Sequence, residues 1–454
     1  MRNTFFSLMA ISAIITFILL QTSFYARQAQ AIAIRDAEIE HTIRNYAAPL
    51  LRAAGTDIDE VRIHILNSKS INAFVAKGQR IYITSGLIMA TKEPQQLIGV
   101  IAHEIGHITG GHIARAVQAR KIAKDLMLFG QLFGIAAGVL SQNTDVAVAT
   151  SATSSEIAHK KFLSFSRVQE RAADQVAINL LEKTQTSALG LLSFFKLLKD
   201  QELLARARQD AYVITHPATQ DRISFVKNHV LKSAHTNNEV PVNLKQAHAR
   251  ILAKLSAFID PPTKTLRSRA NANPSISDKY ALAIANFRSS RLDKAIRMVN
   301  GLIENSPEDP YFHELKGQML FDHGKIKEAL HSYQKAVGLR PFEPLLRIGL
   351  AHTQLESKQS NMWFSAIKNL KVALNKENSY PFAWKLVGIA YGKVGRMGMS
   401  ALALAEHNNL LRRFSEAQNK AKKALRLLPK NSPSWIRAQD LSISADRSRK
   451  RIRR

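Results

Sequence analysis

Cysteine is absent from all 454 residues. Its absence removes disulfides, thiolate metal sites, cysteine nucleophiles and cysteine-linked lipid anchors together. Acidic side chains are scarce beside basic ones, 35 Asp and Glu against 64 Lys and Arg, which leaves a formal net charge of +29. Such a balance points to anionic partners: nucleic acid, an anionic membrane surface or acidic polypeptides. Two apolar stretches, Phe5 to Leu20 and Leu126 to Leu140, both fall short of the roughly 20 residues that span a bilayer. Hydrophobic content is an ordinary 46%, which excludes a disordered chain, and the length suits two or three domains.

The N-terminus narrows the partners. Met1-Arg2 precedes the uncharged run from Phe5 to Leu20, and a polar stretch follows, ending Ala29-Gln30-Ala31. A basic start, an apolar middle and an Ala-x-Ala site are the layout of a secretory signal, residues 1–31; the alternative is an uncleaved anchor. Export to a bacterial periplasm removes nucleic acid from the partners. It also suits a chain without cysteine.

Of what is present, the stretch from Leu97 to Gly111 organises the rest. It holds His103-Glu104-x-x-His107, two histidines four apart with a glutamate beside the first. On a helix that spacing is just over one turn, so both imidazoles reach one metal ion. Pro94 suits the first turn and Gly110-Gly111 the end, while Leu97, Ile101, Ile105 and Ile108 form one apolar stripe. The histidines fall roughly opposite that stripe, so the helix is expected to bury one side and face a cleft with the other. Imidazole and carboxylate ligands with one open position suit zinc, one ion per chain. Glu104, beside the open position, can take a proton from the attacking water and pass it to a leaving amine.

Upstream, residues 32 to 53 read as a helix that Pro49 kinks or ends. Val61 to Leu66, Asn72 to Gly78 and Gln79 to Thr84 read as strands, with Lys77-Gly78 as a hairpin turn. A small antiparallel sheet is therefore expected before the metal helix. Its edge either pairs with extended substrate or only packs on the helix. Downstream, the basic stretch holding Arg115, Arg120, Lys121 and Lys124 leads into Leu126 to Leu140. That run reads either as a helical hairpin, buried or covering a cleft, or as a shallow membrane contact. Phe165 to Ala177 reads as a helix with Glu170 and Asp174 one turn apart on one face. Glu170 completes a two-His, one-Glu zinc set, and Asp174 can accept a hydrogen bond from the far nitrogen of a ligand histidine.

These motifs, with Thr215-His216-Pro217 and Arg222-Ile223 downstream and Asn72 to Leu87 upstream, resemble the gluzincin metallopeptidases that include HtpX and the CaaX prenyl protease. The resemblance covers roughly residues 35 to 230. It implies that His103, His107 and Glu170 bind zinc and that Glu104 is the general base. His216 is then an active-site group, either stabilising the oxyanion or capping the metal as a displaceable ligand. Arg222 orients that loop or contacts substrate. His112 and His159 match nothing in the family and are read as surface or packing residues. The several membrane helices of HtpX and the CaaX protease have no counterpart, which argues for a soluble enzyme and against prenylated substrates.

From about residue 276 the chain repeats. Gly317, Leu320, Gly324, Ala329, Tyr333, Ala336 and Pro341 occupy tetratricopeptide (TPR) positions, and Pro307 precedes Pro341 by 34 residues. Trp384, Gly388, Tyr391 and Gly395 repeat the first-helix positions; Ala417, Ala421, Ala424 and Pro429 repeat the second. About four units are expected, with an insertion near Ser357 to Met362 and a concave binding surface. The expected fold is mainly α: a gluzincin-like α+β peptidase domain with a small sheet (32–235), a linker (236–275) holding a helical run from Leu244 to Phe258, an α-α TPR solenoid (276–435) and a basic tail (436–454) whose charge run, Arg447 to Arg454, is expected to be solvated. Export signal, peptidase and repeats together resemble the periplasmic branch of the family concerned with outer-membrane β-barrel assembly. That resemblance implies unfolded or misassembled outer-membrane proteins as substrates, degraded or helped to assemble. It also implies docking on the assembly machinery through the repeats, with peripheral membrane contact left open. The alternative is a latent protease acting as an adaptor or chaperone.

Overall fold

Alternating β-branched residues build a four-stranded sheet ahead of the metal-motif helix in the computed structural model. The structure describes residues 33–112, 114, 115, 118, 166–202, 216, 217, 219–357 and 359–453. The expected signal, the apolar run Leu126 to Leu140 and His159 lie outside the described residues.

Strands β1 (Ala33–Ile34), β2 (Arg62–Leu66), β3 (Ala73–Ala76) and β4 (Arg80–Thr84) are ordered β1-β2-β4-β3. The expected hairpin joins β3 to β4, turning through Gly78 at φ 86° and Gln79 at φ 53°. The sheet is not all antiparallel. It is β4 that lies against β2, running the same way with Arg62 opposite Arg80 and Leu66 opposite Thr84. Because the hairpin reverses direction once, inserting its second strand beside β2 makes that pair parallel. Ile65, Ile81 and Ile83 point into the core.

Thr84 ends the sheet and caps α2 (Ser85–Ala90), accepting from the Leu87 amide while its hydroxyl donates to the Ser70 carbonyl. At Gly86 a Cβ would stand 2.2 Å from the Lys69 carbonyl oxygen, so only glycine fits. Helix α3 (Pro94–Thr109) follows with proline in its first turn, and the Gln96 side chain accepts from the Lys92 and Glu93 amides. From Gln96 to His107 every residue of α3 is buried, the two histidines included. Helix α4 (166–183), α5 (Leu189–Glu202) and α6 (Gln220–Val230) complete the described part of this region.

The chain divides into two compact units, residues up to Ile34 plus Ala47–Asn238, and Arg35–Tyr46 plus Glu239–Arg454. Helix α1 (Ala37–Ala53) runs through Pro49 without ending there, and the division falls within it. In the second unit, the helical run expected within the linker is α7 (Val242–Ile259), and a short helix, α8 (Pro262–Ser268), follows it. Helices α9 (Ile276–Arg288) and α10 (Leu292–Asn305) begin the repeats. They continue as α11 (Pro310–Asp322), α12 (Ile326–Leu339), α13 (Pro344–Glu356), α14 (Ser360–Lys376), α15 (Pro381–Lys393), α16 (Met397–Leu410), α17 (Phe414–Leu427) and α18 (Pro433–Arg453). The expected insertion is absorbed by α14, which has 17 residues where α12 has 14. Helix α18 runs through the segment expected as a basic tail; it buries Ala438, Leu441 and Ala445, while Arg447, Lys450 and Arg451 are exposed. Tyr333 shows why small residues recur: its ring lies 2.9 Å from where a Cβ on Gly317 would be and 2.5 Å from one on Gly349.

The N-terminal residues Arg35 to Tyr46 are held in this second unit by buried charge. Lys254, only 3% exposed, lies 2.7 Å from Asp36 and 3.3 Å from Glu38; Arg250 lies 2.6 Å from Glu38, and the Tyr280 hydroxyl donates to Glu38 at 2.8 Å. Arg35 bonds Glu377 at 2.6 Å and stacks on Tyr380. Removing one partner from a buried network strands the others, at a cost of about 3–5 kcal/mol. Glu38→Ala is therefore expected to destabilise the second unit by about that much, whereas Arg171→Ala, whose ion pair with Asp221 is exposed, should change stability by under about 1 kcal/mol. Urea unfolding of the two variants checks the contrast.

Candidate metal centre

Helix α3 can approach α4 because Gly106 has no side chain: a Cβ there would stand 2.7 Å from the Ala173 carbonyl oxygen. That contact sets Glu170 and Asp174, one turn apart on α4, against His103 and His107, one turn apart on α3. The Nε2 atoms of His103 and His107 face each other at 3.0 Å. Glu170 lies 3.3 Å from the first and 3.4 Å from the second. His216 brings its Nδ1 within 3.0 Å of both Glu170 oxygens.

Together His103, His107, Glu170 and His216 offer ligand atoms within 4.8 Å of one another, all four buried. Tetrahedral zinc with bonds of about 2.0–2.1 Å needs ligand atoms about 3.3 Å apart, so the spacing of the first three fits the ion. Glu104 supplies a second test. Its carboxylate is fully buried and neither oxygen has a hydrogen-bond partner among the described residues. An orphaned buried carboxylate is costly, and a bound cation with its water would satisfy it.

Around the cluster stands a bracket of charges. Asp174 bonds His103 Nδ1 at 2.9 Å, while Arg222 donates to Asp174 through Nε at 2.6 Å and Nη2 at 2.8 Å. The same guanidinium donates to the Pro217 carbonyl at 2.9 Å, reaches Glu170 at 3.0 Å and lies 4.7 Å over the Phe195 ring. Arg222 thus ties the loop after His216 to both acids of α4. All seven residues singled out in the sequence come together here. Of the two readings given to His112, surface or packing, its burial fits packing. It is 3% exposed, and its Nδ1 lies 3.0 Å from His107 Nδ1. The pair Gly110-Gly111 was the available signal, read only as a helix end.

Electrostatics follow from burial and partners. Burial opposes charge on His103, but Asp174 and Glu170 more than offset it and hold its imidazolium up to about 9. Burial outweighs the nearby Glu170 carboxylate and drives His107 down to about 3. Burial raises the Glu104 carboxyl, against the pull of His216 and His103. For Glu170 burial works upward too, yet the surrounding histidines hold it well below the usual carboxylate range.

A buried base with no partner, set against a cluster that fits zinc, defines a class: the chain is a zinc metalloendopeptidase. Residues 33–230 match the model of Peptidase family M48. It is 24% identical over 399 residues to the beta-barrel assembly-enhancing protease of Yersinia pestis, covering 87% of this chain and 81% of that one. The protein of the same name in Escherichia coli K12 is also 24% identical, covering 87% and 80%. Metalloprotease LoiP of the same strain is 28% identical over 182 residues, 39% of this chain and 67% of that one.

Two measurements bear on the site. Gly106→Ala is expected to push α4 off α3 and lower zinc content, which metal analysis of the purified variant would show. The metal-free site should respond to pH in two opposite ways. A ligand must be deprotonated, so zinc affinity should rise with pH until His103 titrates, at about 9. A folded-state pKa raised from 6.5 gives the metal-free fold stability that is complete below 6.5 and lost as pH passes about 9. Chelator competition and metal-free Tm, each followed across that window, check the two signs.

Proposed function

We propose that the chain is an exported periplasmic zinc endopeptidase that assists outer-membrane β-barrel assembly and degrades barrel proteins that misassemble or stall. The printed names of the Yersinia and Escherichia relatives support the assembly role. The signal-like residues 1–31 support export, and no helix among the described residues is long and apolar enough to cross a membrane. The observation that carries the reading is the Glu104 carboxylate, buried and unpartnered beside four potential metal ligands.

His103, His107 and Glu170 hold the metal in this proposal. Zinc, when bound, supplies Lewis-acid polarisation of the scissile carbonyl and of the attacking water. Glu104 removes the proton from the water and delivers it to the leaving nitrogen. Asp174 fixes the tautomer of His103 by accepting from its Nδ1, and Arg222 holds Asp174 in place. Strand β3, at the end of the sheet and packed against α3, offers backbone groups to an extended client segment. The repeats hold the client or dock on the assembly machinery.

A second reading, a latent protease working mainly as an adaptor or chaperone through its repeats, is favoured by the position of His216. It stands within the ligand cluster, where it can cap the metal; the alternative role is as a donor to the oxyanion.

The zinc-loaded chain should cleave an unfolded outer-membrane barrel protein, and Glu104→Gln should lose at least about 100-fold in rate while keeping its zinc. Retained hydrolysis by Glu104→Gln would sink the assignment. Glu170→Ala should instead lose metal, and unchanged occupancy would remove Glu170 from the ligand set. His216→Ala separates the two readings, releasing activity if His216 caps the metal and losing it if His216 binds the oxyanion.

A further inference from the structure

His107 has a far nitrogen that no carboxylate among the described residues reaches. The corresponding nitrogen of His103 meets Asp174 at 2.9 Å, but that of His107 meets the Nδ1 of His112 at 3.0 Å. We infer that His112 is the positioning residue of His107, a neutral imidazole acceptor that fixes the tautomer and ring angle with which His107 meets the metal.

Four observations support this. First, only one hydrogen fits between two nitrogens at that distance. With His107 Nε2 committed to a metal, its hydrogen sits on Nδ1 and donates, so His112 accepts at Nδ1 and carries its own hydrogen on Nε2. Second, the two rings stand nearly perpendicular, at 80° with centroids 5.0 Å apart, and His112 is buried like the ligands. Third, the backbone is shaped to return His112 over the end of α3. Gly111 takes φ 61°, a conformation that favours glycine, and a Cβ on Gly110 would stand 2.3 Å from His112 Nε2. Gly110 itself is right-handed, at φ −71°, so its lack of a side chain serves the ring above it rather than the backbone. Fourth, Gln169, the residue before Glu170, donates from Nε2 to the His112 carbonyl at 3.2 Å, which fixes the turn to the helix bearing the acids.

The two histidines are therefore oriented by different means. His103 leans on an anion that Arg222 secures, and His107 on an uncharged ring above a glycine pair. Loss of such an outer partner typically weakens metal binding about 10–100-fold.

This inference rests on the reading of His107 as a ligand, and the test separates the two. Zinc affinity by chelator competition and the visible spectrum of the cobalt(II)-loaded full-length chain are measured for His112→Phe, His112→Asn, His112→Ala, Gly110→Ala, the double variant of the last two, and His107→Ala. Phe keeps an aromatic ring but cannot accept, whereas the Asn side-chain oxygen takes the place of Nδ1. The expected result is a zinc affinity about 10–100-fold weaker for His112→Phe, with most of it recovered in His112→Asn. Gly110→Ala should cause a comparable loss, and no further loss when added to His112→Ala. Metal-free Tm is followed alongside, and the difference between Phe and Asn, rather than any loss common to both, carries the result. Zinc affinity equal to that of the unsubstituted chain in His112→Phe, or an Asn variant no better than Phe, overturns the inference. Unchanged zinc binding by His107→Ala would instead overturn the ligand reading beneath it.

Discussion

The carboxylate of Asp174 has no exposed surface, and everything at the site leans on how it is paired. Burial alone would favour its neutral form. Arg222 and His103 reverse this and keep it ionised. An ionised Asp174 in turn holds the ring of His103 with its Nε2 toward Glu170 and His107. Arg222 extends the same bracket to Glu170 and to the chain beside His216. Three segments far apart in sequence are thus fixed by one anion and one cation that are each expensive to bury alone. The close contact of α3 and α4 at Gly106 makes this possible, since a methyl group there would force the helices apart.

Local order in the second unit follows a different rule. Its helices bury alanine, leucine and aromatic residues pair by pair, and each pair needs its neighbours to complete a core. Charge enters chiefly where Arg35 to Tyr46 joins, with Asp36 and Glu38 against Lys254 and Arg250. Apolar packing can accept many sequences, but a lysine with 3% exposure accepts only an acid in reach. The charged set therefore specifies where the N-terminal segment lies.

Much of this was legible in the sequence because it is periodic. Four-residue spacing placed His103 with His107 and Glu170 with Asp174, and the 34-residue recurrence placed the TPR helices. The hairpin was legible from its turn, Lys77-Gly78, but the parallel pairing of β2 with β4 was not, since alternation within a strand says nothing about its neighbour. The neighbour of His112 was not legible, because it depends on a reversal of the chain at Gly111, which has no period. The helical character of residues 242–268 was partly visible, yet membership in the second unit depends on packing. The contribution of Arg35 to Tyr46 to that unit was invisible for the same reason: its partners lie some two hundred residues downstream.

That last feature bears on how the molecule is made. Asp36 and Glu38 leave the ribosome early, and Lys254, Tyr280 and Glu377 leave much later. Until the last of them arrives, the second unit lacks part of its own wall, and the first residues of α1 have no place to settle. Folding can finish only after late segments have returned to an early one, a long-range closure that is slow. The chain must therefore spend time with an N-terminal segment still looking for its place, and any factor that escorts it has that interval in which to act.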